Sequence, residues 1–388
     1  MIAPASFVDL DSSATTPVSE RVLEAMRPWF RESYANPGSP SPGGERAKMA
    51  VSEARAALAE FLGAKPSEIL FTSGGTESNQ TAIRSGVRAR PGRRRVLASA
   101  VEHSSILGLA SELEGEGIRF EKIPSRPDGR IDPEEVARRV DGETALVAVM
   151  WTNNETGSMN PVDEIVEIAH RAGALFHCDA VAAAGKVPVD LGGVPADFLS
   201  LSAHKIHGPK GVGALFVRSG TPFFPLMPGS QERKRRGGTE NVPGIVGLGE
   251  AARESRSYLA QGGASRLEDQ RNRLEEGILA LWPGARRNGP AEPRIRAPHI
   301  ANFQFPGTPA EKILLALGRE GIYVSMGSAC SSGSMDPSHV LLAMGLGREE
   351  ALSSLRFSLG RDTTPEDIGR TLAALSRILA QETARRVS

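Results

Sequence analysis

Only two cysteines, Cys178 and Cys330, occur in the 388 residues, so no disulfide framework can hold the fold. A reducing compartment, the cytoplasm by default, is the expected setting. Excess charge of either sign is missing too. Lys plus Arg and Asp plus Glu each total 46, which leaves no global field to draw the chain to nucleic acid or to an anionic membrane. Aromatic residues are scarce, at 5%, and the densest basic run, Arg233-Lys234-Arg235-Arg236, has none between its charges to stack on bases. The run reads as a solvated loop. No apolar stretch is long enough to span a bilayer. The start, Met1-Ile2-Ala3-Pro4, lacks the basic-then-apolar order of a secretory signal. Internal repeats and low-complexity tracts are missing as well.

What is present is the composition of an ordinary globular protein, 40% hydrophobic and 24% charged, in a chain long enough for two domains. Ala47, Ala50, Val51, Ala54, Leu58 and Phe61 recur at helical spacing, which predicts a helix from Gly43 to Leu62 stopped by Gly63. Short apolar runs then alternate with helical stretches: 68–72, 95–100, 118–123, 145–151, 175–178, 198–201 and 213–217. Strands separated by helices predict parallel pairing with crossover helices, an α/β layered sheet. Beyond about Val246 the rhythm changes to helices over 249–259 and 265–281 and a strand over 300–305, which marks a second domain.

The chemistry-bearing residues sit at the ends of these predicted strands, where open α/β sheets place their sites. Lys205 follows one strand in Ser202-Ala203-His204-Lys205, and its amine could form a Schiff base with pyridoxal phosphate while Ser202 and His204 offer hydrogen bonds to a phosphate. Asp179 ends another strand, placed to pair with a protonated pyridine nitrogen. Gly74-Gly75-Thr76 forms a glycine turn before a helix, whose backbone amides suit phosphate. His103 follows a third strand and could stack on a ring and move protons, and Asn153-Asn154-Glu155 follows a fourth as a polar cluster costly to bury without partners. Cys330, set among Gly327, Ser328, Ala329, Ser331, Ser332 and Gly333, has small neighbours rather than a packed core. Cys178, inside an apolar strand, reads as an inert core residue.

These segments, in this order, resemble the class V aminotransferase family in its cysteine desulfurase branch. The likeness runs from Leu10-Asp11-Ser12-Ser13-Ala14-Thr15-Thr16-Pro17 to Arg356-Phe357-Ser358-Leu359-Gly360-Arg361, and its most diagnostic pieces are the Lys205 motif and Gly327-Ser328-Ala329-Cys330-Ser331-Ser332-Gly333. The resemblance implies a fold-type I pyridoxal-phosphate enzyme. Its mostly parallel sheet carries helices on both faces in a large cofactor-binding domain, 15–250. A smaller α+β domain, 1–14 and 251–388, carries the catalytic cysteine on a loop at about 325–339. It implies pyridoxal 5′-phosphate held by Lys205, with Asp179 at the pyridine nitrogen and His103 stacked on the ring. Gly75, Thr76, Ser202 and His204 would hold the phosphate, and Asn154 would also meet the cofactor. Thr239 would reach the phosphate from a second subunit, making a homodimer, and Arg356 with Asn154 would clamp the substrate carboxylate. Cysteine would be converted to alanine and its sulfur taken by Cys330 as a persulfide. From there it would pass to an acceptor or scaffold protein serving iron–sulfur clusters, thiolated RNA or a cofactor. No metal is called for.

The chain departs from the family pattern at several points: Ala182 stands where glutamine is usual, no histidine follows Asn36-Pro37, and Lys234 and Met326 replace the commoner glycine and serine. Two other readings stay open. One is a class V lyase or aminotransferase acting on another amino acid such as selenocysteine. The other is a catalytically weak sulfur carrier or scaffold.

Overall fold

The computed structural model describes residues 7–327 and 336–387. Cys330 lies outside the described residues. Twelve strands are present among them: β1 (Val8–Asp9), β2 (Ile69–Thr72), β3 (Arg95–Ser99), β4 (Arg119–Ile123), β5 (Thr144–Ala148), β6 (Leu175–Asp179), β7 (Phe198–Ser202), β8 (Gly213–Val217), β9 (Arg286–Arg287), β10 (Ile300–Gln304), β11 (Ile322–Tyr323) and β12 (Ser354–Ser358). Seven of them form the central sheet, in the order β2-β8-β7-β6-β5-β3-β4. The sheet is mostly parallel, as the alternation of strands and helices predicts.

The exception is β8, which runs antiparallel to both of its neighbours, β7 and β2. The reason lies in the connection. The link 203–212 between β7 and β8 is too short for the crossover that a parallel return needs. The other six strands share one direction, so their carboxyl ends open on one edge of the sheet.

Both faces of the sheet are covered. Ile69, Phe71, Val147, Phe176, Cys178, Leu199, Leu201 and Phe216 enter one apolar cluster. Their alternates Leu70, Leu146, Leu175, Phe198, Leu215 and Val217 enter another on the opposite side. This is the two-residue period of a strand buried on both faces. Cys178 is fully buried there, and burial pushes its thiol far above the ordinary range.

The helix read at Gly43 spans Pro42–Leu62, capped by the Ser41 hydroxyl accepting from the Gly44 N–H at 3.2 Å and ended by Gly63 in the left-handed region. Against it packs the helix Val242–Ala260, which starts well before the expected Gly249. Asn241 caps that earlier start, accepting from the Gly244 N–H at 3.1 Å. Gly244, Gly247 and Gly249 weaken the helical pattern in the sequence, yet at Gly249 the reason is contact: a Cβ there would lie 2.6 Å from the Ala54 Cα.

A further core is built from both chain ends. Val8 and Leu10 join Leu267, Leu274, Phe303, Phe305, Ile313, Leu317, Leu355, Phe357 and Leu375, around β10 paired antiparallel with β9 and β12. Strand β1 pairs with β11, and Leu10 accepts the Ser358 N–H at 2.7 Å, so the first described residues are laid along β12. Among the described residues no helix is long and apolar enough to cross a membrane.

The basic run is not a solvated loop throughout. Glu232, Arg233 and Lys234 all adopt positive φ. Buried Glu232 chelates Arg55 at 2.6 and 2.8 Å and accepts the Phe71 N–H at 3.0 Å. Arg233 donates to the Ile69 carbonyl at 2.8 Å, Arg235 lies 4.7 Å over the Phe223 ring, and Arg236 pairs with Glu77 at 3.0 Å. The run is docked on the edge of β2 by a buried carboxylate, a tertiary partner that charge spacing cannot show.

Because the obstruction at Gly249 is main chain and cannot rotate away, Gly249→Val should destabilise the fold by about 2–3 kcal/mol. Denaturant unfolding of the two proteins measures this, and a change below about 0.5 kcal/mol would contradict the packing described.

Candidate active site

The carboxyl ends of β2, β3, β5, β6 and β7 meet around one cavity of about 310 Å³, and Gly75, Thr76, His103, Asn154, Asp179, Ser202, His204 and Lys205 all line it. Residues spread from 75 to 205 converge because parallel strands end on a common edge. Ala182 also faces this space.

Asp179 is buried at the end of β6. Its Oδ2 accepts from Asn79 Nδ2 at 2.7 Å and its Oδ1 from the Val181 N–H at 2.9 Å. Asn79 also donates to Ser105 Oγ at 2.9 Å, and the Ser105 N–H donates to His103 Nδ1 at 3.1 Å. A main-chain donor on Nδ1 puts the proton of the neutral ring on Nε2. Burial lowers the His103 pKa, opposed by the charge of Asp179. Neither Asn79 nor Ser105 stands out in the sequence. The usable signal is spacing: Asn79 follows Thr76 by three residues in the helix Gly75–Arg88, on the same face.

Behind Asp179, Glu102 is fully buried and accepts the Met150 N–H at 2.6 Å. Burial and then the neighbouring Asp179 charge raise its pKa well above the ordinary carboxylate value, which favours the neutral acid.

Lys205 Nζ donates to the Ser13 carbonyl and, at 2.7 Å, to the Ala14 carbonyl. Burial, then the positive charge of Arg356, pull its pKa down to about 8. His204 hydrogen-bonds Thr15 Oγ1 through Nδ1 at 3.1 Å, and burial next to Lys205 lowers it to about 4. It therefore offers a hydrogen bond but no positive charge at neutral pH.

The donor set fits pyridoxal phosphate at each end. Asp179 gives a carboxylate for the ring nitrogen, Lys205 a primary amine for the aldehyde, and Thr76, Ser202 and the first amides of a long helix give donors for the phosphate. Gly75 leaves the space for it, since a Cβ there would lie 2.9 Å from Val181 Cγ2 and 3.7 Å from Ser202 Cβ.

Two expected residues stand apart from the cavity lining. Arg356 is buried beside Lys205, donating through Nη1 to the Asn154 carbonyl at 3.0 Å and through Nη2 to Asp11 at 2.6 Å. Thr239 borders a smaller cavity of about 190 Å³ with Ser73, Arg236 and Asn241. Within one chain it is not brought to Lys205. Asn153, by contrast, braces its loop, accepting the Glu155 and Thr156 N–H groups at 3.0 and 2.9 Å and donating through Nδ2 to the Val101 carbonyl at 3.1 Å. Sequence reasoning also passed over Lys186 and His299, both buried and both on the cavity wall.

The Aminotransferase class-V family model matches residues 8–371. A cysteine desulfurase of Cereibacter sphaeroides is 49% identical over 380 residues, covering 96% of this chain and 96% of that protein. A solved NifS-like protein superposes with a TM-score of 0.90 at 36% identity, over 97% of this chain and all of its own. A structure described as SspA in complex with cysteine superposes with a TM-score of 0.79 at 33% identity, over 93% of this chain and all of its own.

A lysine held near 8 is half free base at that pH, so acetylation of Lys205 in cofactor-free protein should rise with a midpoint near pH 8. Peptide mass spectrometry across a pH series reads this directly. A midpoint near the ordinary value of 10.5 would contradict the environment described.

Proposed function

The chain belongs to the class V aminotransferase family, whose members generally depend on pyridoxal phosphate, and from that premise we propose that it is a cysteine desulfurase that passes sulfur from L-cysteine to Cys330. The observation that carries the reading is the single cavity in which a buried carboxylate, a lysine amine of lowered pKa and a helix start face one another. The cysteine named with one related structure supports the substrate.

When bound, pyridoxal phosphate supplies an electron sink for the substrate's α carbon. Asp179, braced by Asn79 and the Val181 N–H, would hold the ring nitrogen. Gly75, Thr76, Ser202 and His204 would take the phosphate, and His103, its Nδ1 occupied by the Ser105 N–H, would lie against the ring with its proton on Nε2. Lys205 Nζ takes the α proton, a task for which a pKa of about 8 is better matched than 10.5. Arg356 and Asn154 orient the carboxylate. The Cys330 thiolate then attacks the substrate sulfur. An S–S bond forms, and the Cβ–S bond breaks with its electron pair left on the carbon skeleton, which is protonated and leaves as alanine. Cys178, sealed in the core, takes no part.

Thr239 is assigned to the cofactor of a second copy, so the working unit is a homodimer. The sulfur then passes to an acceptor protein.

Cys330→Ser should retain the visible absorption of the loaded enzyme and its response to added cysteine. Sulfide and alanine production should fall by about 100-fold or more, because a hydroxyl is not a thiolate nucleophile at neutral pH. Equal rates in the two proteins would turn the reading into direct elimination of sulfide.

A further inference from the structure

We propose that Asp11 is a positioning residue that sets the guanidinium of Arg356 for the substrate carboxylate, making the segment 10–14 part of the active site. The proposal rests on the reading of Arg356 as the carboxylate clamp.

Main-chain bonds fix Asp11 beside its partner. The Ser358 N–H donates to the Leu10 carbonyl at 2.7 Å, the Ser12 N–H to the Ser358 carbonyl at 3.1 Å, and the Ser13 N–H to Ser358 Oγ at 2.9 Å. The segment therefore lies along the end of β12, two residues beyond Arg356. From there Asp11 Oδ1 accepts Arg356 Nη2 at 2.6 Å, while the Asn154 carbonyl accepts Nη1 at 3.0 Å.

Two of the three guanidinium nitrogens are thus held by acceptors on different elements, which fixes the plane of a side chain only 4% exposed. The third nitrogen, Nε, is sealed from solvent and has no acceptor among the described residues. A buried donor left unpaired is costly unless something else accepts from it. The amino-acid substrate brings the matching group, a planar carboxylate, to the adjoining cavity, where Asn154 also stands. The next residues of the segment, Ser13 and Ala14, hold Lys205 Nζ through their carbonyls. One short stretch of main chain therefore sets the group that binds the carboxylate and the group that moves the α proton.

Without Asp11, Arg356 loses its ion-pair partner and keeps one hydrogen-bond acceptor, the Asn154 carbonyl, so its plane is free to turn. Misplacement by about 1 Å is enough to lose much of a clamp's effect.

The test compares two ligands that do not turn over, L-alanine and ethylamine, which differ by the carboxylate. Their affinities for the cofactor-loaded protein are read from the change in its visible absorption, and their ratio is the carboxylate selectivity. Asp11→Asn should reduce that ratio by about 10-fold or more while ethylamine affinity stays within about 2-fold. Arg356→Gln should abolish the selectivity, and the double variant should be no worse than Arg356→Gln alone. Asp11→Ser repeats the comparison should the asparagine variant not fold. A ratio lost in Arg356→Gln but unchanged or raised in Asp11→Asn overturns this proposal alone. A ratio unchanged in Arg356→Gln overturns the clamp and this proposal together.

Discussion

A carboxylate kept at the closed end of an apolar strand is the requirement on which the rest of the site depends. Every residue of β6 is buried, and Asp179 ends it. Burying such a group without partners costs several kcal/mol, and two donors offset that here, Asn79 from the helix after β2 and the Val181 N–H from the turn after β6. A second carboxyl, Glu102, shares the neighbourhood and is pushed toward its neutral form, so two adjacent charges are avoided. The same Asn79 reaches Ser105 and, through it, His103. One hydrogen-bonded chain thus joins three strand ends and sets the proton position on the histidine.

The topology makes this possible. Parallel strands with helical crossovers bring residues far apart in sequence to a common edge, while antiparallel β8 turns back between β7 and β2 and joins β2 to the rest of the sheet. The cavity also needs a wall that the sheet does not provide. The segment from Leu10 to Ala14, fastened to β12, provides it and presents two carbonyls to Lys205. The lysine sits among Arg356, Asp11 and Asp179, and burial with the nearby guanidinium outweighs the two carboxylates, leaving its amine readily deprotonated.

The central strands and the residues at their ends were legible because burial on both faces writes near-continuous apolar runs, each followed by polar residues with no packing role. Lys205, Asp179, His103 and Asn154 are found that way, and all line one cavity. The direction of β8 was not legible, because it depends on the length of one connection and not on the pattern of the strand. The early start of the helix at Val242 was hidden by glycines that serve close packing, Gly249 against Ala54 and Gly247 against Met26. Asn79, Asp11 and the docking of Arg233 to Arg236 on β2 are tertiary facts. Each depends on a partner far away in the chain, which a single sequence does not mark.

The central claim is that the cavity releases sulfur from cysteine onto one thiol, and the path of the sulfur atom tests it most directly. The cofactor-loaded protein is incubated with L-cysteine carrying labelled sulfur, alkylated without reduction, digested, and its peptides examined for a gained sulfur atom. The label should appear on the peptide containing Cys330, with alanine formed in equal amount, and not on the peptide containing Cys178. Labelled sulfide released in full with neither thiol modified, or label on Cys178, would contradict the account.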